Sequence, residues 1–136
     1  MRTRRHRNPL GVIHAFNIHM GTSYFERKHQ IRSFIQQEHV QNELDGPRVL
    51  MGDFNEWVTG LTTRVLREKF ESLNMELHLR RKKTYPGLLP FLHLDHIYFE
   101  RPLHIHEARL VRNRKSMVAS DHLPLMARFG VHNAGD

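Results

Sequence analysis

The sequence predicts an α/β domain in which a mixed β-sheet carries helices on one face. Three observations point there. Apolar runs of strand length alternate with amphipathic stretches of helix length. Their order is strand, helix, strand, helix and then several strands. The chain has 136 residues with 39% hydrophobic content, which suits one domain and one modest core.

Residues 1–9, "MRTRRHRNP", read as a basic N-terminal arm. The domain proper is expected over 10–130, with a short tail at 131–136. "LGVIHAFNIH" (10–19) is a largely buried strand that ends at His19. In the helix that follows, Ser23 and Glu26 have the spacing of a capping box, each side chain satisfying an orphan N–H of the first turn. Tyr24, Ile31, Phe34 and Ile35 recur near helical spacing, and Gly46-Pro47 closes the segment. A strand over 48–52 comes next. A helix around 61–72 then turns Leu61, Val65, Leu66, Phe70 and Leu73 inward. Strand-like pieces follow near 83–85, 93–99, 104–111 and 123–129, the last alternating Leu123, Leu125, Ala127 and Phe129 with more polar positions.

Composition narrows the function classes. No run reaches the roughly 18 apolar residues of a membrane span, and no apolar core follows the basic start. The absence of cysteine excludes a disulfide framework and thiolate metal sites, and it fits a cytoplasmic protein. The formal net charge of +7 attracts phosphate-rich or otherwise anionic partners, although it serves solubility equally well.

Polar residues at strand ends carry the chemistry. The apolar run Val49-Leu50-Met51 stops at Asp53, and Asn55 follows two residues on. In an extended chain such residues point the same way, with Cα atoms roughly 6.5–7 Å apart. His19 also ends a strand, Asp95 lies within "LHLDHIYF", and Asp121-His122 precede the last strand. In α/β sheets such groups gather in the crevice beyond the strand ends. Singly, each also suits a turn or a cap, Asp53 and Asn55 included.

"MGDFNEW", "LDHIYF" and "SDHLPL", in that order, together with "NIHMGTSYFERKHQ" upstream, resemble the endonuclease/exonuclease/phosphatase superfamily. The resemblance covers residues 10 to about 129. It implies a fold like the C-terminal half of a four-layer αββα sandwich and a metal-dependent phosphoester hydrolase in which water attacks phosphorus. The implied cofactor is Mg²⁺, or Mn²⁺, held by Asp53, Asn55 and Asp121; such hard cations take oxygen ligands and keep several waters. Asp53 is further implied to accept the proton of the attacking water, and Asn55 to hold that water or a phosphate oxygen. His122 and His19 are implied to contact the scissile phosphate, with Asp95 as the carboxylate partner of His122. The substrate is then a nucleic acid or a small phosphodiester.

Members of that family usually run to about twice this length, and their first half brings an Asn and a metal-binding Glu. Neither Glu26 nor Glu56 matches the position of that Glu. A truncated form is therefore expected, with one sheet face uncovered and prone to self-association. The competing readings are a catalytically inactive remnant that binds nucleic acid or another polyanion, and a half-domain that folds only with a partner chain. Several other features read as structural: His104 and His106 as a solvent-facing strand surface rather than a zinc site, Arg80–Lys83 as a solvated charge run, and Trp57 as cover for a sheet edge.

Overall fold

A computed structural model describes residues 2–8, 11–37, 40, 44–56, 60–73 and 94–131 of the chain. The expectations for Trp57, for Arg80–Lys83 and for a strand at 83–85 fall outside these residues. Strands β1 (Arg2–Asn8), β2 (Gly11–His19) and β3 (Arg48–Asp53) are followed by a two-residue β4 (Glu71–Ser72) and by β5 (Asp95–Phe99). They form one sheet in the order β1-β2-β3-β5-β4. Only β2 and β3 pair in parallel; the other pairs are antiparallel. The sheet is therefore mixed, as the alternation of elements predicts. A separate two-stranded sheet joins β6 (Leu103–Leu110) to β7 (Leu125–Val131).

Residues 2–8 correct one expectation. They are an edge strand rather than an arm, with Arg2 in register with Asn17 and Asn8 with Gly11. Their charge hid the strand, because an edge strand gains its stability from backbone pairing and needs no apolar face of its own.

Alternation along β2 sorts the two faces. His14, Phe16 and Ile18 are buried on one side, where helices α1 (Tyr24–Ile35) and α2 (Leu61–Arg67) pack. Ile31, Phe34 and Leu66 meet Phe16, Leu50, Phe54, Phe70 and Tyr98 there in one apolar cluster. The opposite face holds Val49, Ile97 and Phe99, and the β6–β7 hairpin lies on it through Leu103, Ala108, Leu125, Ala127 and Phe129. This corrects the expectation of a bare face. The final strands did not join the main sheet; they folded over it, burying apolar area that would otherwise stay in water. Nothing in the described residues supports self-association, and no helix among them is long and apolar enough to cross a membrane.

Helix ends differ from expectation too. Ser23 is the N-cap of α1, but its side chain makes no capping hydrogen bond. Glu26 instead accepts from Gln30 Nε2 at 3.4 Å, one turn further on. A reciprocal capping box does open the short helix α3 (Arg114–Ala119): Ser116 N–H donates to Asn113 Oδ1, and the Asn113 N–H donates to Ser116 Oγ. The helix expected to 72 stops at Arg67, since Glu71 and Ser72 leave it to pair with β5.

Candidate active site

The parallel pair β2–β3 ends on one line, with His19 in register with Asp53, and Asp53 in register with Asp95 on the other side. Three residues that are far apart in sequence thus reach one edge of the sheet. His122 arrives from the hairpin side, three residues after the end of α3, where its N–H donates to Ser120 Oγ at 3.1 Å.

Gly52 makes the approach of β3 to β2 possible. Its φ is +140°, and a Cβ there would run into the Ile18 carbonyl and the Asn17 side chain. Any other residue would have to be strained and would push β3 away from His19.

The side chains converge. His122 Nδ1 lies 2.8 Å from Asp95 Oδ2. The other ring nitrogen, Nε2, is 3.7 Å from Asp53 Oδ2, and His19 Nε2 reaches the same oxygen at 3.7 Å. Asp53 Oδ2 therefore sits between two imidazoles without closing a tight pair with either. His19 is mostly in solvent, with 79% of its side chain exposed, whereas His122 is 23% exposed. Burial disfavours the charged His122 ring, and it is the largest single influence. The Asp95 hydrogen bond and the charges of Asp95, Asp53 and Asp121 together outweigh it and hold the imidazolium pKa above its ordinary value. Asp121, itself exposed, acts here as a neighbouring charge.

Asn55 departs from the extended geometry. It has φ +49°, so its side chain does not follow that of Asp53. Its Nδ2 donates to the Met20 carbonyl at 2.7 Å, in a buried site. Its backbone N–H donates to Asp53 Oδ1 at 2.8 Å. This is an Asx-turn, the local chemistry that Asp and Asn favour at the end of a strand. The turn occupies Oδ1 and leaves Oδ2 facing the two histidines.

Other residues support the site without a chemical role assigned from the sequence, among them the Arg and Gln of "NIHMGTSYFERKHQ". Gln30 Oε1 accepts from the Gly21 N–H at 2.9 Å, and Arg27 Nη1 donates to the Gly21 and Thr22 carbonyls at 3.3 and 2.5 Å. Together they hold the loop that follows His19; their spacing on the first turns of α1 was the available signal. Glu56 is buried and accepts from the N–H groups of Thr62 and Thr63 at 3.0 and 2.9 Å, and from Thr63 Oγ1 at 2.5 Å. It caps α2 from six positions upstream, at the end of "GDFNE".

A cleft of about 390 Å³ opens beside His122 and Asp95, floored by Met51, Ile97, Leu123 and Phe129. A larger cavity of about 690 Å³ lies at the other end of the sheet, around Arg48, Phe70 and Glu100. Size does not select the site, because at that larger cavity Arg48 is paired with Glu100 and Arg101 with Glu71.

Fit to a divalent cation fails on the donor set. Asp53 Oδ1 is engaged by a backbone N–H, and Oδ2 faces two imidazoles. Among the described residues, no group of three or more His, Asp or Glu gathers to hold a metal, His104 and His106 included. These residues do not by themselves form the Mg²⁺ site that the resemblance implies.

Comparison with known proteins bears on the fold. No curated protein matches the sequence. Among solved structures, a conserved protein of unknown function from Enterococcus faecalis aligns over 89% of this chain at 20% identity, with a TM-score of 0.66. A mannosyl-6-phosphatase from Bacteroides thetaiotaomicron aligns over 88% at 17% identity and TM-score 0.59. The human Nocturnin catalytic domain, solved with a bound sulfate anion, aligns over 89% at 18% identity and TM-score 0.57. The chain spans 51%, 51% and 47% of those structures, about half of each. At such identities the likeness is one of fold. The sequence profile of the Endonuclease/Exonuclease/phosphatase family matches residues 3–122, most of the chain, and the chain belongs to that family.

Proposed function

We propose that the cluster around His122 hydrolyses a phosphoester by attack of water on phosphorus. What the nucleases and phosphatases of the family name share is this bond, so phosphoester hydrolysis is the general expectation. The observation that carries the reading is the geometry of His122, with one ring nitrogen 2.8 Å from Asp95 and the other turned toward Asp53. A ring held in this way keeps a fixed orientation, and the neighbouring carboxylates favour its charged form, whose Nε2–H can donate to a phosphate oxygen as negative charge develops there. Asp53 Oδ2, free of the turn, is placed to take the proton of an attacking water. His19, exposed beside it, would meet the outer phosphate oxygens. Asn55 acts by holding the turn that presents Asp53 rather than by touching water.

Dependence on Mg²⁺ or Mn²⁺ goes with the family and not with the described residues, so every role above is drawn from side chains alone. That shortfall favours a second reading, an inactive chain that binds polyanions through its +7 charge. Hydrolysis of bis(p-nitrophenyl) phosphate with added Mg²⁺ or Mn²⁺ separates the two. The first reading expects turnover that falls by ~10²-fold or more in both His122→Ala and Asp53→Asn. Wild-type rates in both variants would remove the mechanism, and no turnover in any preparation would leave the polyanion binder.

A further inference from the structure

Tyr24 and Phe25 are 52% and 78% exposed, and no other aromatic residue among the described ones is left so open. A single exposed apolar side chain is ordinary, but two adjacent rings make a contiguous apolar patch of the kind found at interaction sites. The two rings touch edge to face, with centroids 5.6 Å apart, on the first turn of α1. That turn begins five residues after His19, so at most roughly 17 Å of chain separates them. The loop between is pinned by Arg27 and Gln30. The first turn of α1, which carries the rings, is thus held close to His19.

Their surroundings are basic. Lys28 and Arg32 follow Tyr24 at successive four-residue steps along one side of α1, and His29 follows Phe25 in the same way. Across the site, exposed Arg112, Arg114 and Lys115 border the loop that carries His122.

We propose that Tyr24 and Phe25 are a stacking platform for the bases of a single-stranded nucleic acid. Its backbone runs along Lys28 and Arg32 and presents a phosphodiester to His19 and His122. Exposed rings next to cations take up unpaired bases, since every base has a face to stack and each step brings a phosphate. A duplex hides those faces. The proposal rests on the hydrolase reading of His122 and names its substrate class.

The test is fluorescence anisotropy of a 5′-fluorescein oligothymidylate titrated with the full chain. Tyr24→Ala/Phe25→Ala should weaken Kd by roughly tenfold or more, and Tyr24→Trp/Phe25→Trp should restore it. Affinity should fall steeply with salt, and a duplex of the same length should bind more weakly. Equal affinity in wild type and the alanine pair, tighter binding to the duplex, or binding to phosphatidylserine vesicles in place of the oligonucleotide would overturn the platform. The measurement needs no turnover. A chain that binds through these rings yet hydrolyses nothing would therefore overturn the role of His122 and leave the platform standing.

Discussion

Strand β3 has a charged residue at each end, and the two ends are built for opposite purposes. At its start, Arg48 meets Glu100 through two parallel contacts, Nη2 with Oε1 and Nε with Oε2, and its backbone N–H donates to the same carboxylate. Nη1 donates to the Val40 carbonyl at 2.6 Å, and the guanidinium lies over the Phe70 ring. At the other end, Asp53 has one oxygen in a turn and the second 3.7 Å from two imidazoles. Burial does not distinguish them. The side chains of Arg48 and Glu100 are 14% and 19% exposed, against 18% for Asp53 and 19% for Asp95. Saturation does. The Arg48 guanidinium and the Glu100 carboxylate are held by close hydrogen bonds at one end, while at the other Asp53 Oδ2 meets its two imidazoles only at 3.7 Å, the looser contact that the proposed reaction would use.

The largest effect in this comparison should come from breaking the saturated end. Arg48→Ala strands the Glu100 carboxylate, and loss of one partner of a largely buried pair costs about 3 kcal/mol. Urea unfolding should show it as a lower midpoint with an unchanged slope. A loss below about 1 kcal/mol would mean that the pair is worth no more than a surface one.

Glu56→Ala sharpens the contrast with a carboxylate that serves only as a cap. Two N–H groups at the start of α2 would lose their acceptor in a buried place, for about 2 kcal/mol. Unfolding midpoints of Glu56→Ala and Glu56→Gln should differ, since the amide keeps an acceptor oxygen. Equal midpoints would show that neither oxygen matters to the helix.

The smallest effect concerns pH. The pKa of His122 is raised in the folded chain, so its contribution to stability is fully present below the unfolded value near 6.5 and is lost as pH rises through the folded value. Ring-proton NMR should place the His122 midpoint above 6.5 and find it lower in Asp95→Asn. The stability advantage of wild type over that variant should shrink over the same pH interval. A midpoint indifferent to Asp95 would separate the hydrogen bond from the shift.

Sequence carried the fold where period and burial agree. The strands read from apolar runs at 10–19 and 48–52 are present and supply Phe16, Ile18, Val49 and Leu50 to the two apolar clusters. It failed where backbone pairing alone holds a segment, as in 2–8, and where one local contact replaces another, as at Ser23, whose expected partner Glu26 bonds Gln30 instead. For the site, the motifs marked which polar residues lie at strand ends, and register then brought Asp53, Asp95 and His19 together. Spacing could not show that Asn55 takes a positive φ and turns to Met20. Nor could it show Glu56 as a cap, since the N–H groups it serves lie six and seven positions away.

Among the described residues, the β6–β7 hairpin is joined to the main sheet by apolar packing and by no strand ladder. Asp95 belongs to the sheet, and His122 to the segment between the hairpin strands. The 2.8 Å contact between them therefore bridges the two sheets. If the hairpin lifts as a unit, the pair separates while β2, β3 and β5 remain ordered, so the activity proposed for His122 would be lost well before global unfolding. Amide protons of β6 and β7 should then exchange sooner than those of β3, and at the same rate at which His122 leaves its carboxylate.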